Sequence, residues 1–305
     1  MSNEPAQNQH LIKSATIASV SVACFLIIIK LAAFLLTNSI ALLATLVDSL
    51  LDAAASIINL IAVRHSLTPA DHEHRFGHGK AEALAGLGQA AFISGSAFFL
   101  IFEAGGRLLS PQVVSRSSVG IIVMIISIIL TIGLVKYQRH VVKKTGSVAI
   151  TADSLHYLSD VLVNLFVIFA LILNAQFGWV QADPIFGLGV SLFVLYSAWQ
   201  IVRQSLHHLM DRELSDEDRE RIISIVAGHP EVVNMHDLRT RRSGQDVFIQ
   251  LHLELESSLS LKEAHRISDE VDSLIKAAFP NAEILIHEDP DDIAEDRKET
   301  PSLIN

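Results

Sequence analysis

The chain of 305 residues contains a single cysteine, Cys24, which limits its chemistry at once. One thiol cannot form a disulfide or a thiolate zinc site within the chain, so we interpret Cys24 as a small apolar packing residue. The sequence also lacks an H-E-x-x-H motif, which argues against a zinc protease. Because no obvious nucleophile, oxyanion hole or cofactor fingerprint is present, we predict that the protein is not an enzyme.

Basic residues are scarce in the last third of the chain. Residues 211–305 contain 23 acidic and 11 basic residues, a net charge near −12, whereas residues 1–210 carry a net charge near +2. This acidic balance argues against nucleic acid as a partner and favours the attraction of cations.

Apolar runs of membrane-spanning length recur through the first two thirds. About 20 apolar residues cross a bilayer core of roughly 30 Å. We predict six transmembrane helices, near residues 12–37, 39–64, 81–108, 117–141, 147–174 and 179–209. The first run leads directly into the second, so we expect it to be retained rather than cleaved as a signal peptide. Basic residues cluster after the second and fourth spans, which predicts that both termini face the cytoplasm.

The remainder has the pattern of a small α+β domain. Helical patterns at 215–228 and 261–279 alternate with strand patterns at 232–242, 246–256 and 282–288. The order αββαβ predicts a small open sheet with helices on one face. We therefore divide the chain into an N-terminal cytoplasmic segment (1–11), a transmembrane domain (12–209), a cytoplasmic domain (210–290) and a disordered tail (291–305).

Two pairs of ionisable residues lie inside predicted spans with the same spacing. Asp48 and Asp52 belong to the second span, and His156 and Asp160 to the fifth. Residues at i and i+4 share one helix face, and ionisable residues within a membrane usually mark ion or proton pathways. We predict one site of oxygen and nitrogen ligands near the midplane, which suits Zn²⁺ better than Mg²⁺. The alternative is that these residues only pair with one another or with backbone groups.

Two further clusters have metal-binding composition. In the connection after the second span, Asp71, His74 and His78 are candidate ligands with His72 as a spare, and the alternative is a solvated loop. The C-terminal candidates are His236, His252, His265, His287 and Asp289. These could equally be isolated surface residues, but a carboxylate that bridged two ions would make a binuclear site.

Asp153, one turn before the fifth-span pair, is predicted to be a helix cap or part of the ion pathway.

These residues lie in motifs that resemble the cation diffusion facilitator family, over about residues 10–290. The motifs are DSLLD, PADHEHRFGHGKAE, ADSLHYLSD, HDLRTRRSG, FIQLHLELE and IHEDP. The chain is most similar to bacterial zinc and iron exporters of that family. The resemblance implies six spans, a metallochaperone-like cytoplasmic domain and a homodimer in the bacterial inner membrane that exchanges cytoplasmic Zn²⁺ for external protons.

Carried over by residue, the resemblance assigns the transport, loop and C-terminal binuclear sites. These are, in turn, Asp48, Asp52, His156 and Asp160; Asp71, His74 and His78; and His236, His252, His265, His287 and Asp289. We expect Zn²⁺ at the cytoplasmic domain to promote transport, with Fe²⁺, Cd²⁺ and Mn²⁺ as alternative substrates. A rival hypothesis is a membrane-anchored metal sensor or storage protein that does not translocate its ion.

Overall fold

Six long helices precede a small α+β region in the computed structural model, which describes residues 4–37, 40–109, 118–177, 179 and 181–292. The long helices are α1 Glu4–Thr37, α2 Ile40–Ser66, α3 Lys80–Leu109, α4 Ser118–Thr145, α5 Val148–Phe177 and α6 Ala182–Leu209. The remaining elements are α7 Asp216–Ala227, β1 Asn234–Ser243, β2 Asp246–Leu255, α8 Leu261–Ala278 and β3 Ala282–Pro290. The chain divides into two compact units, one covering Ala6–Leu206 and the other containing His207–Asn305.

The first unit has the dimensions of a membrane domain. Within the described residues, five segments are long and apolar enough to cross a membrane: Gln7–Leu36, Thr45–Ser66, Lys80–Gly106, Ile122–Thr145 and Pro184–Leu209. The sixth long helix, α5, has 30 residues, or about 45 Å at 1.5 Å per residue, which exceeds a hydrocarbon core of about 30 Å. The predicted helical membrane region is confirmed.

The helix ends differ from the predicted boundaries at the N-terminus. Helix α1 begins at Glu4, within the predicted segment 1–11, because the polar stretch Gln7–His10 continues the helix before the apolar run starts. Ser39, the predicted first residue of the second span, lies outside the described residues. Residues 293–305 of the predicted disordered tail also lie outside them.

Large apolar side chains are exposed along the outside of the helices. Leu36 is 84% exposed, Phe102 is 78% exposed and Leu35 is 72% exposed. Soluble domains rarely leave such extended apolar surface in contact with water. A lipid environment accounts for this surface, since hydrocarbon tails solvate these side chains.

Small residues bring α3, α5 and α6 close together. The buried alanines shared by these helices are Ala90, Ala97, Ala152 and Ala198. At Gly86 an added Cβ would lie only 2.6 Å from Ser205 Oγ and 3.1 Å from a methyl carbon of Val148, so the helices approach closely there. Small residues allow this approach in membranes, where packing rather than water exclusion drives helix association.

A buried carboxylate connects four of the long helices. Asp153 is fully buried and accepts hydrogen bonds from Ser19 Oγ of α1 at 2.5 Å, Gln138 Nε2 of α4 at 2.7 Å and Gln89 Nε2 of α3 at 3.0 Å. Gln138 Nε2 also donates to Ser19 Oγ at 2.8 Å. Because Asp153 lies in the second turn of α5, which begins at Val148, the prediction that it caps the helix is wrong.

The C-terminal unit has the predicted αββαβ order. Its sheet has the strand order β1-β2-β3, with β1 antiparallel and β3 parallel to β2. Helices α7 and α8 cover one face of the sheet, where the alternate residues of β2 are buried: Val247, Ile249, Leu251, Leu253 and Leu255. The sequence pattern predicted this face, because successive residues of a strand point to opposite sides.

Local signals fix the ends of these short elements. Ser215 Oγ accepts the backbone N–H of Asp218 at the start of α7, and Ser260 forms a capping box with Glu263 at the start of α8. Gly244, at a positive φ of 61°, allows the tight turn between β1 and β2. These features hold the two strands in the register that aligns the histidines described below.

The Asp153 network should make a measurable contribution to stability. Asp153→Ala removes the acceptor of three buried donors, and each unsatisfied group costs about 1–3 kcal/mol. We expect a clear fall in the melting temperature of the purified protein in detergent, with a smaller fall for Asp153→Asn, which keeps one acceptor oxygen. Ser197→Ala is the matched control, because the Ser197 hydroxyl donates to Phe193 O in its own helix. An unchanged melting temperature for Asp153→Ala would contradict this account.

Candidate metal centres

The intramembrane candidates meet between α2 and α5. His156 Nε2 lies 3.1 Å from Asp52 Oδ1, a contact between residues 104 positions apart in sequence. Asp160, one turn beyond His156 on α5, completes a group whose ligand atoms all lie within 4.8 Å of one another. His156 is buried, whereas Asp52 and Asp160 are partly exposed. The arrangement offers two carboxylates and one imidazole to a single point.

The fourth predicted member, Asp48, is not in this group. It lies on the same helix as Asp52 but its side chain is largely exposed. The two carboxylates repel each other, and the Lys30 ammonium attracts Asp48. Like charges four residues apart on a helix repel each other unless a cation lies between them. Three of the four predicted residues, Asp52, His156 and Asp160, are therefore assembled here, and Asp48 is not.

Lys30 of α1 lies beside this cluster. Lys30 Nζ donates to Ser49 Oγ at 2.6 Å and to Thr45 O at 3.1 Å, both on α2. Its ammonium interacts electrostatically with Asp52, Asp160 and, more weakly, Asp48. The residues next to Lys30 in sequence are apolar and do not indicate these contacts, because its partners lie on another helix.

The loop candidates also converge. Asp71 Oδ1 lies 3.4 Å from His74 Nδ1, and Asp71 Oδ2 lies 3.4 Å from His78 Nε2. The carboxylate is held in place by the backbone N–H groups of His74, at 2.6 Å, and Glu73, at 2.9 Å. The backbone hydrogen bond from His74 is the main cause of an Asp71 pKa below its ordinary value, so this ligand stays ionised at neutral pH.

A different histidine from the predicted spare approaches the loop cluster. His72 is exposed and does not belong to the group formed by Asp71, His74 and His78. Instead the ring of His65, at the end of α2, packs edge-on against His78 with 4.6 Å between ring centroids. Sequence reasoning missed His65 because it precedes the motif and lies on the preceding helix.

The sheet register places three C-terminal histidines in one row. His236 of β1 pairs with His252 of β2, which pairs with His287 of β3. The ring centroids of the first pair are 5.0 Å apart and those of the second pair 4.6 Å apart. Directly opposed residues on neighbouring strands have close Cβ atoms, so the pairing itself brings the imidazoles together.

Asp289 lies between these histidines with an oxygen on each side. Its Oδ2 lies 2.8 Å from His252 Nδ1 and 3.5 Å from His236 Nε2, while its Oδ1 lies 3.2 Å from His287 Nε2. A carboxylate in this position has one oxygen available for each of two ions. His236, His252 and Asp289 form a group whose candidate ligand atoms lie within 4.8 Å of one another, a spacing compatible with one bound ion.

The remaining C-terminal candidate, His265 of α8, lies at the edge of this arrangement. Its side chain is exposed, with Nδ1 3.9 Å from Glu288 Oε1 and Nε2 3.7 Å from Asp269 Oδ2. It is not in the group of His236, His252 and Asp289. To join that group, His265 would have to change its side-chain conformation.

Two acidic residues that the sequence analysis did not assign support the C-terminal cluster. Glu254 is buried, and its Oε1 lies 3.0 Å from His236 Nδ1. Asp237, at a positive φ of 49° beside the bulge in β1, has Oδ2 3.9 Å from His252 Nε2. The sequence could have predicted Glu254 as a neighbour of this cluster, because it is two residues from His252 and therefore lies on the same face of β2.

A fourth cluster has the composition of a metal site but the contacts of an ion pair. His229, Glu231 and Glu270 offer ligand atoms within 4.8 Å of one another. The Arg266 guanidinium, however, donates to Glu231 and to Glu270, each at 2.7 Å. The hydrogen bond from Arg266 to Glu270, followed by the smaller effect of the hydrogen bond from His229, holds the pKa of Glu270 below its ordinary value. The arginine supplies the positive charge that a metal ion would otherwise provide.

The chain is similar to known proteins over most of its length. Two family models match the chain, the cation efflux transmembrane domain over residues 16–210 and the cytoplasmic domain of cation efflux proteins over residues 214–291. The cation-efflux pump FieF of Shewanella oneidensis is 47% identical over 287 residues, covering 94% of this chain and 97% of that protein. FieF of Escherichia coli O127:H6 is 49% identical over 280 residues, covering 92% and 93%.

Among solved structures, the chain resembles that of CzrB, described as a candidate zinc transporter, in its Zn form. The two are 32% identical, and the match covers 28% of this chain and 98% of that one, with a TM-score of 0.26.

Glu254 should hold the His236 ring with Nε2 facing Asp289. Glu254→Gln weakens that contact, and loss of such a supporting partner typically lowers metal affinity about 10–100-fold. We expect a weaker Zn²⁺ affinity of the C-terminal cluster in titrations of the full chain against a competing chelator. Glu256→Gln is the matched control, because Glu256 is exposed and accepts from Ser258 Oγ. Equal affinities in the two variants would show that Glu254 does not position His236.

Proposed function

The chain belongs to the cation efflux family, and as a multi-pass membrane transporter of that family we propose that it exports Zn²⁺ from the cytoplasm in exchange for protons. The observation that carries this proposal is the contact between His156 of α5 and Asp52 of α2, with Asp160 within ligand distance of both. Ion transport accounts for ionisable residues placed among apolar helices. Transport, rather than catalysis, is the proposed role of these groups.

We propose that Asp52, His156 and Asp160 bind the transported ion and that Asp48 joins them when the ion is present. A cation placed between Asp48 and Asp52 would replace their repulsion with shared attraction. Four ligands of oxygen and nitrogen type suit the tetrahedral preference of Zn²⁺. Ligand type alone does not separate Zn²⁺ from Cd²⁺, Fe²⁺ or Mn²⁺, so the metal is decided by the transport assay below.

Exchange with protons follows from competition for the same groups. Metal binding requires ionised carboxylates and a neutral imidazole, so protons and Zn²⁺ exclude each other. Facing the cytoplasm, the site loses protons and binds Zn²⁺; facing a more acidic exterior, it takes up protons and releases the ion. Rocking of the helices that carry the site would alternate its access between the two sides.

We propose that the C-terminal cluster regulates transport in a homodimer. His236, His252 and Asp289 would hold one ion, and Asp289 with His287 and His265 a second. The buried position of Glu254 against His236 supports this assignment, because metal-binding histidines usually have such a partner. Bound Zn²⁺ would stabilise the folded, paired form of this domain and so link the cytoplasmic zinc level to transport.

Asp71, His74 and His78 would form a separate loop site.

The proposed location is the bacterial inner membrane, with lipid around the helices and both termini in the cytoplasm. The connection between α2 and α3 and the end of α4 are rich in basic residues, among them Arg75, Lys143 and Lys144. Basic connections remain on the cytoplasmic side. This orientation places the loop site and the C-terminal domain where they can sense cytoplasmic metal.

Zinc flux in proteoliposomes with an acidic interior tests the proposal. We expect Zn²⁺ uptake that follows the imposed proton gradient, together with proton release from the vesicles. Asp52→Ala and His156→Ala should reduce uptake to that of protein-free vesicles, because each removes a ligand at the contact between α2 and α5. His140→Ala, an exposed histidine of α4, should leave uptake unchanged.

The same assay separates the rival functions. Full uptake by Asp52→Ala or His156→Ala would refute the assigned transport site. No uptake by the unmodified protein, with Zn²⁺ binding lost in His265→Ala, would favour a membrane-anchored sensor or storage protein. Uptake of Cd²⁺, Fe²⁺ or Mn²⁺ in preference to Zn²⁺ would change the proposed substrate but not the proposed site.

A further inference from the structure

Lys30 is an ionisable residue inside a membrane-spanning helix. It lies within the apolar segment Gln7–Leu36 of α1, where an ionised side chain is costly unless it has a partner. Its Nζ reaches α2 rather than the membrane surface, and it donates to Ser49 Oγ at 2.6 Å and to Thr45 O at 3.1 Å. The side chain is therefore fixed against the neighbouring helix.

These hydrogen bonds place the ammonium on the face of α2 that carries the predicted transport ligands. Thr45 lies three residues before Asp48 and four before Ser49, and Asp52 lies four and three residues after them, so all four lie on one side of α2. The ammonium interacts electrostatically with Asp52, with Asp160 from the opposing helix and with Asp48. One fixed positive charge thus acts on each of the three predicted carboxylate ligands.

We propose that Lys30 is a tethered cation that weakens the affinity of the transport site so that the bound ion can leave. This inference rests on the proposed transport function. Three ionised carboxylates and one ammonium give the site a net charge of −2, which a single divalent ion balances. Without the ammonium the site keeps a net charge of −1 after the ion binds, and release becomes slower. A lysine ammonium has no lone pair, so Lys30 influences the ion by charge alone and does not coordinate it.

The opposing interpretation is that Lys30 only ties α1 to α2 through its hydrogen bonds. The first interpretation depends on the positive charge of Lys30, and the second depends only on its hydrogen-bond donors. Lys30→Arg keeps both the charge and the donors. Lys30→Gln keeps a donor without the charge, and Lys30→Met removes both while suiting an apolar helix. Lys13→Gln, at an exposed position of the same helix, is the matched control for loss of one positive charge.

The experiment measures Zn²⁺ uptake kinetics and equilibrium Zn²⁺ binding for the full-length protein in lipid. For both Lys30→Gln and Lys30→Met we expect KM and Kd to fall by about tenfold or more, because unit charges interact strongly at short range in a low-dielectric site. The turnover rate should fall as well, since release is slowed. Lys30→Arg and Lys13→Gln should behave like the unmodified protein.

The outcomes distinguish this inference from the proposed function. If Asp52→Ala abolishes Zn²⁺ binding at one site but Lys30→Gln and Lys30→Met leave KM and Kd unchanged, the proposed transport site is supported and the role given to Lys30 is wrong. A lowered melting temperature without tighter binding in Lys30→Met would assign Lys30 to helix packing. Unchanged binding and uptake in Asp52→Ala would instead overturn the transport site itself. If Lys30→Gln does not fold, Lys30→Met and Lys30→Arg still decide between charge and packing.

Discussion

The structure depends on how charged groups are compensated inside an apolar helix bundle. A buried carboxylate or ammonium is not solvated by water, so partners on other helices compensate its charge. Asp52 and His156 meet across α2 and α5 at 3.1 Å, and Lys30 of α1 binds Ser49 of α2. The same contacts bring candidate ligand atoms of α2 and α5 within 4.8 Å of one another.

Two carboxylates of α5 show two forms of this compensation. Asp153 is fully buried and accepts from Ser19, Gln89 and Gln138, so its partners come from three other helices. Asp160, two turns further along, is partly exposed and belongs to the group of ligand atoms with Asp52 and His156. A carboxylate held by three neutral donors is suited to a structural role. One that faces other ionisable groups at a partly open position is suited to bind and release a cation.

The elements could be predicted from sequence because their signals are local. Apolar length identified the membrane helices, and alternation along Asp246–Leu255 identified the central strand and its buried face. The spacing of His156 and Asp160 indicated a shared helix face, which the structure shows. The strand register aligns His252 with His287. The two short sequence motifs that contain these histidines do not by themselves predict that alignment.

The missed features depend on contacts between elements that lie far apart in sequence. Lys30 contacts Ser49 only because α2 lies beside α1, and His65 contacts His78 only because the loop folds back against the end of α2. Asp153 was predicted as a cap because a carboxylate near a helix start has that local meaning. Its three partners lie on other helices, and no local pattern reveals them.

Zinc-edge anomalous diffraction from crystals of the full-length protein would test the central claim most directly. The account predicts a peak between α2 and α5, with ligand distances of about 2.0–2.2 Å to Asp52, His156 and Asp160. The Asp48 carboxylate should be turned toward the same peak. Strong peaks at the C-terminal cluster with none between the two helices, at a zinc concentration that supports transport, would contradict it.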